Sequence, residues 1–164
     1  MSDKIDFYID IEYDGNISGF DCGFDVFNAY LKDKFLDDKA AVHYIINSEN
    51  DELIAYFSLL AACISLSEYN DTNIIPSIEL KMYAVDKKYR GLNISDKLLE
   101  AVYASVRQYS LKYVGAEALI LYSVPAEKVL KMYEKSGFSK MPEHFSMYKS
   151  RFNEGCIPMY RFIK

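Results

Sequence analysis

The sequence has no tryptophan, three cysteines, two histidines, seven glycines and four prolines in 164 residues. These scarcities narrow the possibilities. Cys22, Cys63 and Cys156 are odd in number and show neither CxxC nor Cys/His spacing, which argues against a disulfide framework and against zinc. Reduced, buried thiols are expected, and no metal. His43 and His144 stand alone, so neither is given a role. No apolar run approaches the roughly 20 residues that a membrane-crossing helix needs. The start, Met1-Ser2-Asp3-Lys4-Ile5-Asp6, lacks the basic-then-apolar layout of a signal peptide. A cytoplasmic location without membrane contact is therefore expected. Basic residues are also few, with 19 Lys plus Arg against 24 Asp plus Glu, a net charge of −5 and a pI near 5.1. That balance does not suit a polyanionic partner, so nucleic acid is not expected, and an acidic surface is better matched to cationic amines.

What is present is ordinary globular material, 51% apolar and 26% charged, without repeats or low-complexity stretches. A single domain over residues 1–164 is expected. Ile5 to Tyr13 alternates apolar with polar and predicts a half-buried strand that Asp14-Gly15-Asn16 ends. From Ser18 to about Ala40, Phe20, Phe24, Phe27, Tyr30, Leu31 and Phe35 recur at threes and fours, as one helix or a broken pair. Val42 to Ile46 and Leu53 to Leu66, joined through Asn47 to Glu52, predict a hairpin. The polar loop Ser67 to Asn73, with Glu68, Asn70 and Asp71, is placed near a substrate entrance, ahead of Pro76 and a central strand.

Ile94, Leu98, Ala101, Val102, Val106, Tyr109 and Tyr113 fall on one face of a helix reaching about Lys112, with Gly115 after it. Ala118 to Tyr122 is nearly all apolar, as in a strand covered on both faces. Pro125 opens a further helix that Gly137 closes. Phe145 to Lys149 and Ile157 to Ile163 predict two last strands joined through Asn153-Glu154-Gly155. The order is that of an α/β sandwich with a mixed sheet.

One junction stands out. Ile78 to Leu99 reads as a strand, a short basic turn and the first turns of a helix. A strand entering a glycine-containing turn and then a helix start leaves several backbone N–H groups unpaired and aligned, which suits a phosphate. Lys87, Lys88 and Arg90 add positive charge beside it.

The junction Glu79-Leu80-x-x-x-Ala84-Val85, then Tyr89-Arg90-Gly91-x-x-x-Ser95 and Leu98-Leu99, resembles the central strand, pyrophosphate loop and cofactor helix of the GCN5-related N-acetyltransferases (GNATs). Tyr133-Glu134-Lys135-Ser136-Gly137-Phe138 is similar to the family's late helix and turn. The family's loop often carries three alternating glycines, whereas Arg90-Gly91-Leu92-Asn93-Ile94-Ser95 keeps the first and has Asn and Ser at the others. Asn tolerates left-handed backbone and Ser is a favoured helix cap, so the loop shape can survive. The family often has an Asn after the next strand, where this chain has Pro125-Ala126. Phe20-Asp21-Cys22-Gly23 and Tyr56-Phe57-Ser58-Leu59 resemble a branch that includes bacterial toxins acetylating aminoacyl-tRNA.

The resemblance implies a GNAT-like α/β fold, a mixed and mostly antiparallel sheet flanked by helices, and transfer of an acetyl group from acetyl-CoA to the amine of a small molecule or peptide. It implies that Tyr83, Ala84 and Val85 offer backbone groups to the pantetheine arm and the thioester oxygen. Arg90, Gly91, Leu92, Asn93, Ile94, Ser95 and Asp96 would hold the pyrophosphate. Glu79 takes the position of a glutamate that removes the amine proton, and Tyr133 that of a tyrosine protonating the departing sulfur. Unperturbed phenol and thiol pKa values lie within about two units, which suits that exchange. The plainer alternatives stay open: Glu79 as a surface carboxylate paired with Lys81, and Tyr133 as an aromatic on an apolar helix face. A CoA-binding or structural module without turnover is the second reading, and a tRNA-acetylating toxin the lesser third. A homodimer also stays open.

Overall fold

The computed structural model describes residues 4–33, 39–65, 74–92, 94–142 and 155–163. Its elements are β1 (Phe7–Asp10), α1 (Asp25–Lys32), β2 (Ala41–Asn47), β3 (Leu53–Ser65), β4 (Ile74–Val85), a 3-10 turn (Lys87–Tyr89), α2 (Ser95–Tyr109), a π turn (Ser110–Val114), β5 (Ala118–Ser123), α3 (Glu127–Lys135), β6 (Ser139–Lys140) and β7 (Ile157–Phe162). Among the described residues, seven strands form one mixed sheet in the order β1-β2-β3-β4-β5-β7-β6. The ladders β1–β2, β2–β3, β5–β7 and β6–β7 are antiparallel, and β4–β5 is parallel. The α/β reading and the mixed sheet hold. Contacts group the chain into two units, Met1–Leu59 with Lys81–Leu98, and Leu60–Leu80 with Leu99–Lys164.

In the first unit the expected hairpin forms. Asn47 and Asn50 each fold a side-chain oxygen back onto an N–H two residues on, at Glu49 and Glu52, and Asp51 takes a left-handed conformation with φ 56°. These are the local bonds by which Asn and Asp make turns. Of the one helix or broken pair expected from Ser18 to about Ala40, the described residues show one helix, Asp25–Lys32. In residues 18–24 the N–H groups of Ser18, Asp21, Cys22 and Gly23 instead donate to side-chain oxygens of Asn16, Asp86, Asn28 and Asp21, and that of Phe20 to the Ile17 carbonyl, so there the aromatic spacing reflects packing and not a helix. Phe20, Cys22, Leu31, Ile46, Leu53, Tyr56 and Ala84 bury together. At their centre Tyr56 has no exposed surface, donates its hydroxyl to the Phe27 carbonyl at 2.8 Å and stacks on Tyr30.

In the second unit, β4 pairs Ser77, Ile78 and Glu79 with Ala118, Leu119 and Ile120 of β5. Pro76 lies within β4 and not ahead of it. Burial of Ala118, Leu119, Ile120 and Leu121 agrees with a strand covered on both faces. Tyr113, expected on the buried helix face, is 76% exposed. The reason is the π turn, closed by the Gly115 N–H on the Ser110 carbonyl at 2.9 Å. Its wider turn rotates the chain relative to an α-helical continuation. Ser110 takes the interior position and bonds the Ala116 carbonyl.

Pro125 stands one residue before the N-cap Ala126 and not in the first turn of α3, while Gly137, at φ 86°, follows the helix as expected. The strand Phe145 to Lys149, the loop Ser67 to Asn73 and Asn93 lie outside the described residues. The short β6, which pairs Ser139 and Lys140 with Tyr160 and Met159, was not expected. Two residues give no periodicity to read.

Candidate active site

Each expected site residue other than Asn93, which lies outside the described residues, can be placed within its own unit. In the first, Val85 ends β4, Asp86 caps the 3-10 turn, and the chain turns at Gly91 before entering α2 through Ile94 and Ser95. Gly91 has φ 77°, a conformation that glycine adopts without strain, and a Cβ placed there meets nothing within 4 Å. Leu92 and Asp96 are exposed while Ile94 and Leu98 are buried, so apolar side chains of the helix start anchor the end of the turn. The turn leads into the start of a 15-residue helix, the kind of end whose backbone N–H groups and dipole favour an anion. The backbone N–H of Arg90 is taken, donating to the Lys87 carbonyl at 3.3 Å.

The three cations beside this turn are occupied in a way the sequence does not reveal. Lys87 Nζ lies 2.5 Å from the Asp21 carboxylate, and Lys88 Nζ lies 3.9 Å from that of Glu52. The Arg90 guanidinium donates to the carbonyls of Cys22 and Val85 and sits over the Phe24 ring. Lys87, together with the Gly23 N–H and the Asn28 amide, holds the Asp21 carboxyl well below the usual carboxylate range. The positive charge expected for a phosphate is thus partly spent within the protein.

In the second unit, Glu79 is half-buried and lines a pocket of about 390 Å³ with Leu60, Ala61, Ala62, Cys63, Ile120 and Tyr122. Burial, and after it the charge of Glu79, pushes the Tyr122 phenol up to about 12. A carboxylate and a phenol among apolar neighbours can orient an amine and accept its proton. Tyr122 is the member of this pocket that the sequence did not flag, because it belongs to an all-apolar strand. Tyr133 sits on α3 with its ring 5.7 Å from that of Phe138, edge to face. Its side chain is half-buried, yet the phenol lies deep enough for burial to push its pKa up to about 12. Against an ordinary thiol near 8.5 the gap is roughly three to four units, wider than the sequence suggests. Tyr133 is therefore suited to donating a hydrogen bond to sulfur at any neutral pH, more than to surrendering its proton completely.

The first unit also has an acid-lined pocket of about 620 Å³, walled by Asp10, Asp14, Asp51, Glu52 and Asp86 with Tyr8 and Tyr13. His43 is buried and stacked on Phe57, its pKa lowered by desolvation, in keeping with a packing role. Of the three cysteines, all free, only Cys22 is buried; Cys63 is exposed and Cys156 intermediate, which corrects the expectation of buried thiols. Among the described residues no group of three or more His, Cys, Asp or Glu is placed to hold a metal ion.

Residues 39–140, more than half of the chain, match the family model described as an acetyltransferase (GNAT) domain. The chain belongs to this family and is an acetyl-CoA-dependent N-acetyltransferase. No curated protein sequence matches it. Among solved structures, the KacTA–DNA complex is similar at 23% identity and a TM-score of 0.70, covering 96% of this chain and 94% of the other. AtaT complexed with acetyl-methionyl-tRNAfMet matches at 20% identity and a TM-score of 0.67, over 91% and 98%. A tyrosine-to-phenylalanine mutant of AtaT, bound to the C-terminus of its antitoxin AtaR and acetyl-CoA, matches at 19% and 0.70, over 96% and 94%. At these identities the likeness concerns the fold.

Proposed function

We propose that this chain, acting as one domain in the cytoplasm, moves the acetyl group of acetyl-CoA to a primary amine by direct attack. The carrying observation is the pocket that puts Glu79 and Tyr122 among apolar side chains. The open space over Gly91 supports a pyrophosphate on the backbone N–H groups of residues 91 to 96, flanked by Arg90, with Tyr83, Ala84 and Val85 offering backbone groups to the pantetheine arm. Acetyl-CoA supplies an activated acyl group and a thiolate leaving group. Glu79 takes the amine proton, directly or through water, and Tyr133 donates a hydrogen bond to the departing sulfur.

For the acceptor, the net charge of −5 and the engagement of Lys87, Lys88 and Arg90 by Asp21, Glu52 and the Cys22 carbonyl favour a cationic small amine or a lysine-containing peptide. A second reading, aminoacyl-tRNA, is favoured by the fold shared with AtaT, which is known in complex with acetyl-methionyl-tRNAfMet. Incubation with acetyl-CoA and a panel of polyamines, lysine peptides and charged tRNAs, following thiol release, tests both. Thiol release that depends on a cationic amine is expected. Acetyl-CoA that binds without release by any acceptor would leave a cofactor-binding module as the better description.

A further inference from the structure

We propose that Asp86 is a positioning residue for the cofactor turn, and that acetyl-CoA affinity depends on how it fastens that turn to residues 20–23. The inference rests on the reading of the turn as the pyrophosphate site. Asp86 is 2% exposed. One carboxylate oxygen accepts the Lys88 N–H at 2.9 Å inside the turn, and the other accepts the Asp21 N–H at 3.0 Å, 65 residues away in sequence. Its own N–H donates to the Ile54 carbonyl at 2.9 Å. A buried carboxylate is costly unless its oxygens are satisfied, and here the two donors come from two segments, so the residue sets the position of one against the other.

The fastening is repeated around it. The Lys87 N–H donates to the Asp21 carbonyl at 2.9 Å, and the Arg90 guanidinium reaches the Cys22 carbonyl. Residues 20–23 are in turn held stiffly. The Asp21 carboxylate accepts the Gly23 N–H at 2.8 Å and the Asn28 amide at 3.0 Å, and Asn28 accepts the Cys22 N–H at 2.9 Å. A phosphate held by backbone N–H groups is read by their directions, and those directions are fixed by whatever holds the turn. With the Lys87 and Arg90 side chains committed to this network, the turn depends on backbone placement more than a free basic cluster does.

The test compares wild type, Asp86→Ala and Asp86→Asn for CoA by calorimetry, and for pantetheine, which lacks the pyrophosphate, by ligand-observed NMR. Asp86→Ala is expected to weaken CoA roughly tenfold or more, and Asp86→Asn by less, since the amide keeps one acceptor oxygen. Pantetheine affinity is expected to stay within about twofold, because that part of the ligand does not use the turn. A merely structural role weakens both ligands alike, and that result, or an unchanged CoA affinity in both variants, overturns the inference. If Asp86→Ala fails to fold, the near-isosteric Asp86→Asn decides by the same comparison. Failure of the wild type to bind CoA overturns the reading of the turn itself, and this inference with it.

Discussion

Glu79 and Tyr122 line the same pocket, and the carboxylate's negative charge acts together with burial to hold the Tyr122 phenol at about 12. The phenol is thus neutral throughout the working range and can only donate or accept a hydrogen bond. The carboxylate is left as the group in this pocket that can take a proton. Replacing Glu79 with Gln keeps the shape and removes that capacity.

Glu79→Gln should lower kcat/KM by roughly tenfold to a hundredfold, with the larger loss at lower pH, where the amine is more fully protonated and most needs help. Tyr122 should also titrate lower in this variant, while staying above an ordinary phenol because burial, the larger cause, remains. Phenolate absorbance in Glu79→Gln, with Tyr122→Phe to identify the transition, checks the second outcome. Equal rates for wild type and Glu79→Gln across pH would remove the base assignment.

Tyr133→Phe should lower kcat by roughly a hundredfold while leaving acetyl-CoA affinity nearly unchanged, since the hydroxyl acts as sulfur departs. With its pKa raised to about 12, the protonated form persists far above neutrality, so no descending limb of the pH–rate profile below about pH 10 should come from Tyr133. A matched loss of affinity, or an unchanged kcat, would point instead to a ring that only packs on Phe138.

Much of this was legible in residues whose neighbours in sequence are also their neighbours in space. The 47–52 turn, the all-apolar β5 and the Gly91 and Gly137 breaks are local, and their positions are read from spacing and turn chemistry. The cofactor turn was legible as backbone but not as charge. Lys87, Lys88 and Arg90 read as a basic cluster because nothing in the sequence says that Asp21, Glu52 and the Cys22 carbonyl fold against them. Tyr122 and the exposed Tyr113 were missed for related reasons. One depends on which strand lies beside Glu79, the other on a single π turn that breaks the period.

Tyr56 gives a stability prediction. Tyr56→Phe removes a fully buried hydroxyl bonded to the Phe27 carbonyl and should cost about 1 to 2 kcal/mol at pH 7, measured as a lower urea midpoint. Burial raises its folded-state pKa far above the unfolded value, so the folded state holds the proton more tightly. The resulting stability is fully present below about pH 10 and declines above it. Tyr122 and Tyr133 add the same trend between about 10 and 12. The wild type should therefore lose stability on going from neutral pH to about pH 11, and Tyr56→Phe should lose less over that interval. A steeper loss in the variant would show that the phenol is not buried as described.

The acceptor can be tested through salt. An enzyme that holds tRNA makes phosphate contacts through Lys and Arg, and its affinity falls steeply as salt rises. Here 19 basic residues face 24 acidic ones, and within the clearest cluster Lys87 pairs with Asp21 and Lys88 with Glu52. Charged tRNA should thus be acetylated at a rate at least tenfold below that of the best polyamine or lysine peptide at moderate salt. Expression should not arrest growth. The cationic acceptor should also weaken as salt rises, but gently, since only a few charges are involved. If instead charged tRNA is the faster substrate and its KM climbs steeply with salt, the acidic average hides a local basic surface. Replacing Lys87 and Lys88 together with Gln would then show whether their pairing with Asp21 and Glu52 opens to meet the nucleic acid, by the drop in that salt slope.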